Sequence, residues 1–163
     1  MSVLQPVVWL LTGMPGSGKT TFAKALAARV GVVRLSVDDQ MTARHGRIGK
    51  DHAEHEHLAL QAPVIEDVKR QLVVLLREGR SVVLDHGLGT RAVRDEYKRL
   101  VTDHGGRWRL VHFQADHDEL LRRLAVRNNE TEHGVISPET LAWIAEHSEA
   151  PVGEGEEPPV LPT

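Results

Sequence analysis

The sequence predicts an α/β fold in which a parallel sheet carries helices on both faces. Three observations lead there. Short apolar runs of strand length recur along the chain. Segments with apolar residues every three or four positions lie between them, which is helical spacing. Glycine-rich or aspartate-bearing turns close most of the runs, as in βαβ units. The length of 163 residues suits one domain with a sizeable core.

Residues 7–11, Val-Val-Trp-Leu-Leu, are continuously apolar, as in a buried central strand. A glycine-rich turn follows at once. Phe22, Leu26 and Val30 then recur every four residues and predict a helix ending before Gly31. Residues 32–37 read as a second strand that ends at Asp38-Asp39, and 40–50 read as a loop. A helix is expected over 51–61. Pro63 opens another, with Ile65, Val68, Leu72 and Leu75 on one face and Gly79 as its stop.

Residues 81–85 form the third strand. A helix over 90–104 turns Val93, Tyr97 and Leu100 inward, and Gly105-Gly106 breaks it. Residues 107–113 make a fourth strand whose polar alternation suggests a sheet edge or a half-exposed face. Asp116, with Glu119 three residues on, predicts a capping box for a helix reaching about Arg127. Residues 128–137 are polar and unpatterned. Pro138 starts a last helix over 138–148. Residues 150–163, rich in Pro, Gly and Glu, are expected to be an extended or disordered tail behind a domain of residues 1–149.

Composition narrows the chemistry. No cysteine is present, which excludes disulfides, thiolate zinc sites and cysteine nucleophiles. The net charge of −3 lacks the basic surplus of a dedicated nucleic-acid binder. No basic segment precedes residues 7–11 and no apolar run could span a membrane, so a cytoplasmic protein is expected.

Gly13-Met14-Pro15-Gly16-Ser17-Gly18-Lys19-Thr20 matches G-x-x-x-x-G-K-[ST] in full. Such glycines let successive N–H groups converge on an anion, and the helix that follows adds its N-terminal partial charge. Gly13, Pro15, Gly16, Ser17, Gly18, Lys19, Thr20 and Thr21 are therefore the predicted nucleotide-binding residues. Lys19 would reach the β- and γ-phosphates, and the Thr20 hydroxyl would be a Mg²⁺ ligand. This implies ATP and Mg²⁺.

A phosphoryl transferase also needs a carboxylate for the metal shell and a base for the acceptor hydroxyl. Asp38 and Asp85 lie at strand ends, where ligands of parallel sheets bind. Asp38 is read as the base and Asp85 as the magnesium-side group. Arg123 and Arg127, four apart, share a helix face and could neutralise the transferring phosphoryl group. A solvated helix face is the competing reading for them.

The ordered set of the P-loop, Ser36-Val37-Asp38-Asp39, Val83-Leu84-Asp85, Arg91 to Tyr97, Glu119 to Arg127 and the helix after Pro138 resembles the small P-loop kinases. These are typified by the kinase domain of phage polynucleotide kinase and by zeta-toxin-like and chloramphenicol-phosphotransferase-like kinases. The resemblance covers about residues 6–148. It implies a three-layer α/β/α fold with sheet order 2-3-1-4, sometimes with a fifth strand, for which Pro159-Val160-Leu161 is the only remnant. It also implies Asp38 as activator of the acceptor hydroxyl, and Arg123 and Arg127 as lid arginines.

In the polynucleotide kinases an arginine stands three residues after the catalytic aspartate; here Met41 holds that place. The departure favours a small-molecule or nucleoside acceptor over nucleic acid. Asp39, Met41, Arg44 and His86 are the acceptor-pocket candidates. His45, His52, His55 and His57 cluster in the same region. His52 and His55 could chelate a metal, but a polar, partly exposed helix is the better reading. A nucleotide-dependent switch is the competing function, although no Gln or Glu adjoins Asp85 to position a water.

Overall fold

The computed structural model describes residues 4–130 and 134–162. Five strands form a single parallel sheet: β1 (Val7–Thr12), β2 (Val33–Ser36), β3 (Val82–Asp85), β4 (Arg107–His112) and β5 (Glu156–Glu157). Their order is β2-β3-β1-β4-β5. Six α-helices accompany them: α1 (Lys19–Val30), α2 (Val37–His45), α3 (His57–Arg77), α4 (Arg91–Asp103), α5 (His117–Glu130) and α6 (Pro138–Glu146).

Strand alternation splits the core in two. Val8 and Leu10 of β1 point to one face and join Val82, Leu84 and Leu110 against α3 and α4, where Val64, Val68, Leu72, Leu76 and Tyr97 are buried. Trp9 and Leu11 point to the other face, onto Phe22, Ala23 and Leu26 of α1. A strand buried on both faces must be apolar throughout, which accounts for the unbroken run in β1. A third, smaller cluster of Leu120, Leu124 and Leu141 joins α5 to α6.

Five expectations need correcting. Residues 40–50 are not all loop. The Ser36 hydroxyl accepts a hydrogen bond from the Asp39 N–H at 3.1 Å, a helix N-cap, and α2 runs from Val37 to His45. Val37 and Met41, one turn apart, bury against the core and hold it. Asp38 and Asp39 thus open a helix instead of trailing from a strand.

The two helices expected on either side of Pro63 are one, α3, with Pro63 inside it. An interior proline costs about 3 kcal/mol. The stripe of Val64, Val68, Leu72 and Leu76, with Leu60 packed one turn earlier, outweighs that through burial.

The fourth strand is not an edge. The fifth strand is Glu156–Glu157, not Pro159-Val160-Leu161, and it pairs with Leu110 and Val111. The segment from residue 150 is ordered rather than free. Arg94, fully buried, makes a two-pronged ion pair with Glu154, with Nε–Oε1 at 2.8 Å and Nη2–Oε2 at 3.0 Å. Lys98 Nζ adds a bond to the Glu154 carbonyl at 2.7 Å. A Pro/Glu-rich composition says nothing about a buried arginine 60 residues away, so this anchoring was invisible in the sequence.

The capping box forms by half. Asp116 Oδ1 accepts from the Glu119 N–H at 2.8 Å. The Glu119 carboxylate turns away from the cap and pairs with Arg122 and Arg123.

Candidate active site

Strand order places the site. The chain leaves β1 for β2 beyond β3, then returns past β1 to β4, so the sheet switches direction beside β1. In parallel sheets ligands bind at such a switch, beyond the carboxyl ends of the strands. The turn after β1, the first turn of α2 and the end of β3 all lie on that edge. Ser36 stands opposite Asp85 in the β2–β3 register.

Gly18, at φ 107°, is the left-handed N-cap of α1 and supplies no side-chain cap. The first amides of α1 are therefore left to face an anion. Lys19 Nζ donates to the carbonyls of Gly13 and Met14, each at 2.8 Å. Burial pushes its ammonium down to about 8, against the pull of Asp38 and Asp85. The Thr20 hydroxyl donates to Asp85 Oδ1 at 3.3 Å. These two oxygens are hard donors suited to Mg²⁺, so the residues present fit that ion.

A cavity of about 1190 Å³ opens over this loop. Gly13, Pro15, Gly16, Gly18, Lys19, Thr20 and Thr21 line it, with Asp38, Asp85, His86, Arg123 and Arg127. Arg123 Nη1 donates to the Gly16 carbonyl at 3.2 Å, and Nε bonds Glu119 at 2.9 Å. Arg127 Nη2 stands 3.8 Å from Asp38 Oδ2. Arg123 stands 107 residues from Gly16 in sequence, and α5 brings it and Arg127 to the cavity over the loop. Burial pushes the His86 imidazole down to about 4, which leaves it neutral at pH 7.

Ser17 lies outside this cavity and lines a second cleft of about 500 Å³ on the outer side of the loop. Phe22, Ala25, Phe113, Pro159 and Leu161 complete that cleft beside Arg123. The C-terminal segment therefore reaches the site, a contribution the sequence reading missed.

The acceptor-pocket candidates divide. Met41 and His86 line the cavity. Asp39 and Arg44 do not. Asp39 is held by Arg34 Nη1 at 2.7 Å, and Arg44 pairs with Asp67 of α3 at 2.5 Å. Arg44 therefore does not stand in for the arginine that Met41 replaces. Arg34 itself was missed. Its signal was a charged residue inside a strand between Val33 and Leu35, since a cation placed there needs a partner. Its Nε and Nη2 grip Asp85 Oδ2 at 3.0 and 2.7 Å.

The histidines make no His52–His55 pair, the less favoured of the two readings. His52 stacks on His57, not beside His55, with Nε2 to Nδ1 at 3.0 Å and ring planes 8° apart. His55 lines the cavity while its side chain stays 84% exposed. Among the described residues no group of three or more His, Cys, Asp or Glu is arranged for a metal.

Two short segments bridge the far side of the cavity. The Val135 N–H donates to the Ile48 carbonyl at 2.7 Å. Glu54, in a 3-10 turn (Glu54–Glu56), accepts from the Ser137 N–H at 3.1 Å and from its hydroxyl at 2.9 Å, and also bonds Thr140. The start of α6 is thereby tied to the segment before α3. Of the polar stretch 128–137, residues 131–133 lie outside the described residues.

The sheet order, the phosphate loop and the cavity define a protein of the P-loop kinase fold class. A family model described as an AAA domain matches residues 8–151, and the chain belongs to that family. A shikimate kinase of Chromobacterium violaceum is 30% identical over 119 residues, 71% of this chain and 58% of that protein. The chain thus spans little more than half of that curated relative. A provisionally designated kinase of Chloroflexus aurantiacus superposes with a TM-score of 0.75 at 20% identity, covering 96% of this chain and 84% of the other. A chain of the Pnkp1/Rnl/Hen1 RNA repair complex superposes at 0.71 with 24% identity, covering 90% and 44%. No helix among the described residues is long and apolar enough to cross a membrane.

Proposed function

We propose that this protein is an ATP-dependent kinase that moves the γ-phosphoryl group to a hydroxyl of a small molecule or nucleoside. One observation carries the reading. Asp38 shares a cavity with Lys19 and Arg127, and that cavity continues beyond Asp38 to a wall of Met41, Ile48, Leu58 and Trp143. A hydrolytic switch has no use for such an apolar extension of the phosphate site. At about 1190 Å³ the space exceeds the usual ~300–1,000 Å³ of a single-ligand pocket.

The roles follow from position. The loop amides and Lys19 hold the β- and γ-phosphates, and the outer cleft of Phe22, Ala25, Pro159 and Leu161 suits a flat purine ring. Thr20 and Asp85 would hold Mg²⁺, which screens charge between the phosphates. An acceptor oxygen bonds to the γ-phosphorus as the bond to the β-bridging oxygen breaks. Its proton passes to Asp38, and ADP leaves. Arg123 and Arg127 balance the negative charge on the moving group. Catalysis here is positioning and electrostatics.

The test is γ-labelled ATP with Mg²⁺ and a panel of hydroxyl acceptors, run with the native chain and with Asp38→Asn. Label on an acceptor is expected. The variant should lose transfer by about 10²–10⁴-fold, the usual worth of a general base, while ATP binding persists. Undiminished transfer by Asp38→Asn would remove Asp38 from its role. Partner-accelerated hydrolysis with no labelled product would favour a switch instead.

A further inference from the structure

The acceptor end of the cavity has a definite chemical character. Its cationic side chains are Lys19, Arg123 and Arg127, and all three stand at the phosphate end, on the loop or beside Asp38. Beyond Asp38 no lysine or arginine lines the wall among the described residues. Arg44 is drawn off to Asp67, and Arg47 to Asp51 at 3.0 Å. Two carboxylates line this end besides Asp38: Glu54 is taken up by Ser137 and Thr140, and Glu139 is exposed on the first turn of α6.

Apart from Glu139, what remains is apolar with neutral polar groups between. Leu58 and Trp143 line the cavity while 57% and 45% exposed. The Trp143 indole lies parallel to His147, 4.0 Å between centroids and 20° between planes, so its orientation is set. A pre-oriented indole is a platform for a flat ring or for the C–H face of a sugar. Gln61, Thr140 and Ser148 are neutral hydrogen-bonding groups on the same wall. His57 is held below its usual range by burial, so it offers no fixed positive charge at pH 7.

We infer that the acceptor is a ring-bearing hydroxyl compound without negative charge that lays its apolar face on Trp143, and that Trp143 is a specificity-determining residue. This rests on the kinase reading above and goes further, since it separates neutral rings from anionic ones. A carboxylate or phosphate on the acceptor would leave water for a wall with no cation to meet it, which is unfavourable. Shikimate, the substrate named for the curated relative, carries such a carboxylate. A neutral nucleoside and a neutral glycoside share the required chemistry.

The experiment uses the full chain, Mg²⁺ and γ-labelled ATP with four probes: uridine, methyl glucoside, shikimate and a 5′-hydroxyl oligonucleotide. Label on uridine or on the glucoside is expected, and which one is labelled decides between the two neutral sources. Trp143→Ala, at a half-exposed site where folding tolerates change, should raise the acceptor KM about tenfold or more and leave the KM for ATP unchanged. Trp143→Phe, which keeps a flat ring, should restore most of the loss. Label on shikimate or the oligonucleotide in preference to both neutral rings would overturn the inference and leave the kinase reading standing. So would an acceptor KM indifferent to Trp143→Ala. ATP hydrolysis with no labelled probe would overturn both.

Discussion

Arg34 and Asp85 are joined by two hydrogen bonds to one carboxylate oxygen, at 2.7 and 3.0 Å, across adjacent strands β2 and β3. The other oxygen of Asp85 is left to Thr20. Arg34 therefore acts as a positioning residue. It takes up half of Asp85 and orients the half that faces the phosphate loop, while its remaining nitrogen ties down Asp39.

Asp85 is 5% exposed, so its charge depends on that partner. Arg34→Met should cost about 3–5 kcal/mol, the usual penalty for stranding one member of a buried pair. Urea unfolding would measure it. Adding Asp85→Asn should recover part of the stability, because the stranded charge is then gone. A single variant as stable as the native chain would contradict the pairing.

Lys19 sets a pH limit on nucleotide binding. Its ammonium titrates near 8 in the protein without nucleotide, and only the charged form attracts phosphate. ATP affinity should hold below pH 8 and weaken above it, by up to about tenfold per pH unit. Binding at pH 8.5 should take up protons, which calorimetry in buffers of different ionisation enthalpy would detect. Lys19→Met should abolish both effects.

His86 bears on acid stability. Its folded value lies near 4, below the ordinary 6.5. Between those two the unfolded chain binds the extra proton and the native one does not. Stability is therefore intact above about pH 6.5 and falls as pH drops towards 4, by at most ~1.4 kcal/mol per unit. His86→Gln should flatten that limb of the unfolding free energy between pH 6.5 and 4.

The Arg94–Glu154 pair anchors the C-terminal segment. Glu154→Ala would leave the fully buried Arg94 unpaired, at a cost of about 3–5 kcal/mol. Pro159 and Leu161 follow Glu154 and line the outer cleft, so the same variant should raise the KM for ATP. Arg94 bonding lowers the Glu154 carboxyl below its ordinary range. The native pair should therefore persist at neutral pH and fail only in strong acid.

Gly134 tests the bridge over the cavity. Its φ is 108°, and a Cβ there would lie 2.1 Å from the Ile48 carbonyl oxygen. Gly134→Ala should break the contact between the segments and raise the acceptor KM. Its stability cost should be modest, about 1–3 kcal/mol for a strained backbone. The KM for ATP should not change. Steady-state kinetics varying each substrate in turn would show the split.

Local chemistry was legible in the sequence. Residues 13–20, the unbroken strand at 7–11 and Phe22, Leu26 and Val30 each act through neighbours a few positions away, so periodicity and turn residues specify them. The order β2-β3-β1-β4 followed from a resemblance that rested on the same local motifs. Reading failed where distant groups decide. The α2 helix depends on Val37 and Met41 reaching the core, and α3 runs through Pro63 because four buried residues outweigh one lost hydrogen bond.

By itself the sequence determined the phosphate loop, the sheet edge that bears it, and Asp38 and Asp85 beside it. Only the tertiary structure decided that Arg34 serves Asp85, that Arg44 leaves the cavity for Asp67, and that Glu154 and Leu161 belong to the domain. The physical reason is the same in each case. A buried or half-buried charge is satisfied by whichever opposite charge the fold brings within about 3 Å, and sequence separations of 23 to 60 residues do not reveal which that is.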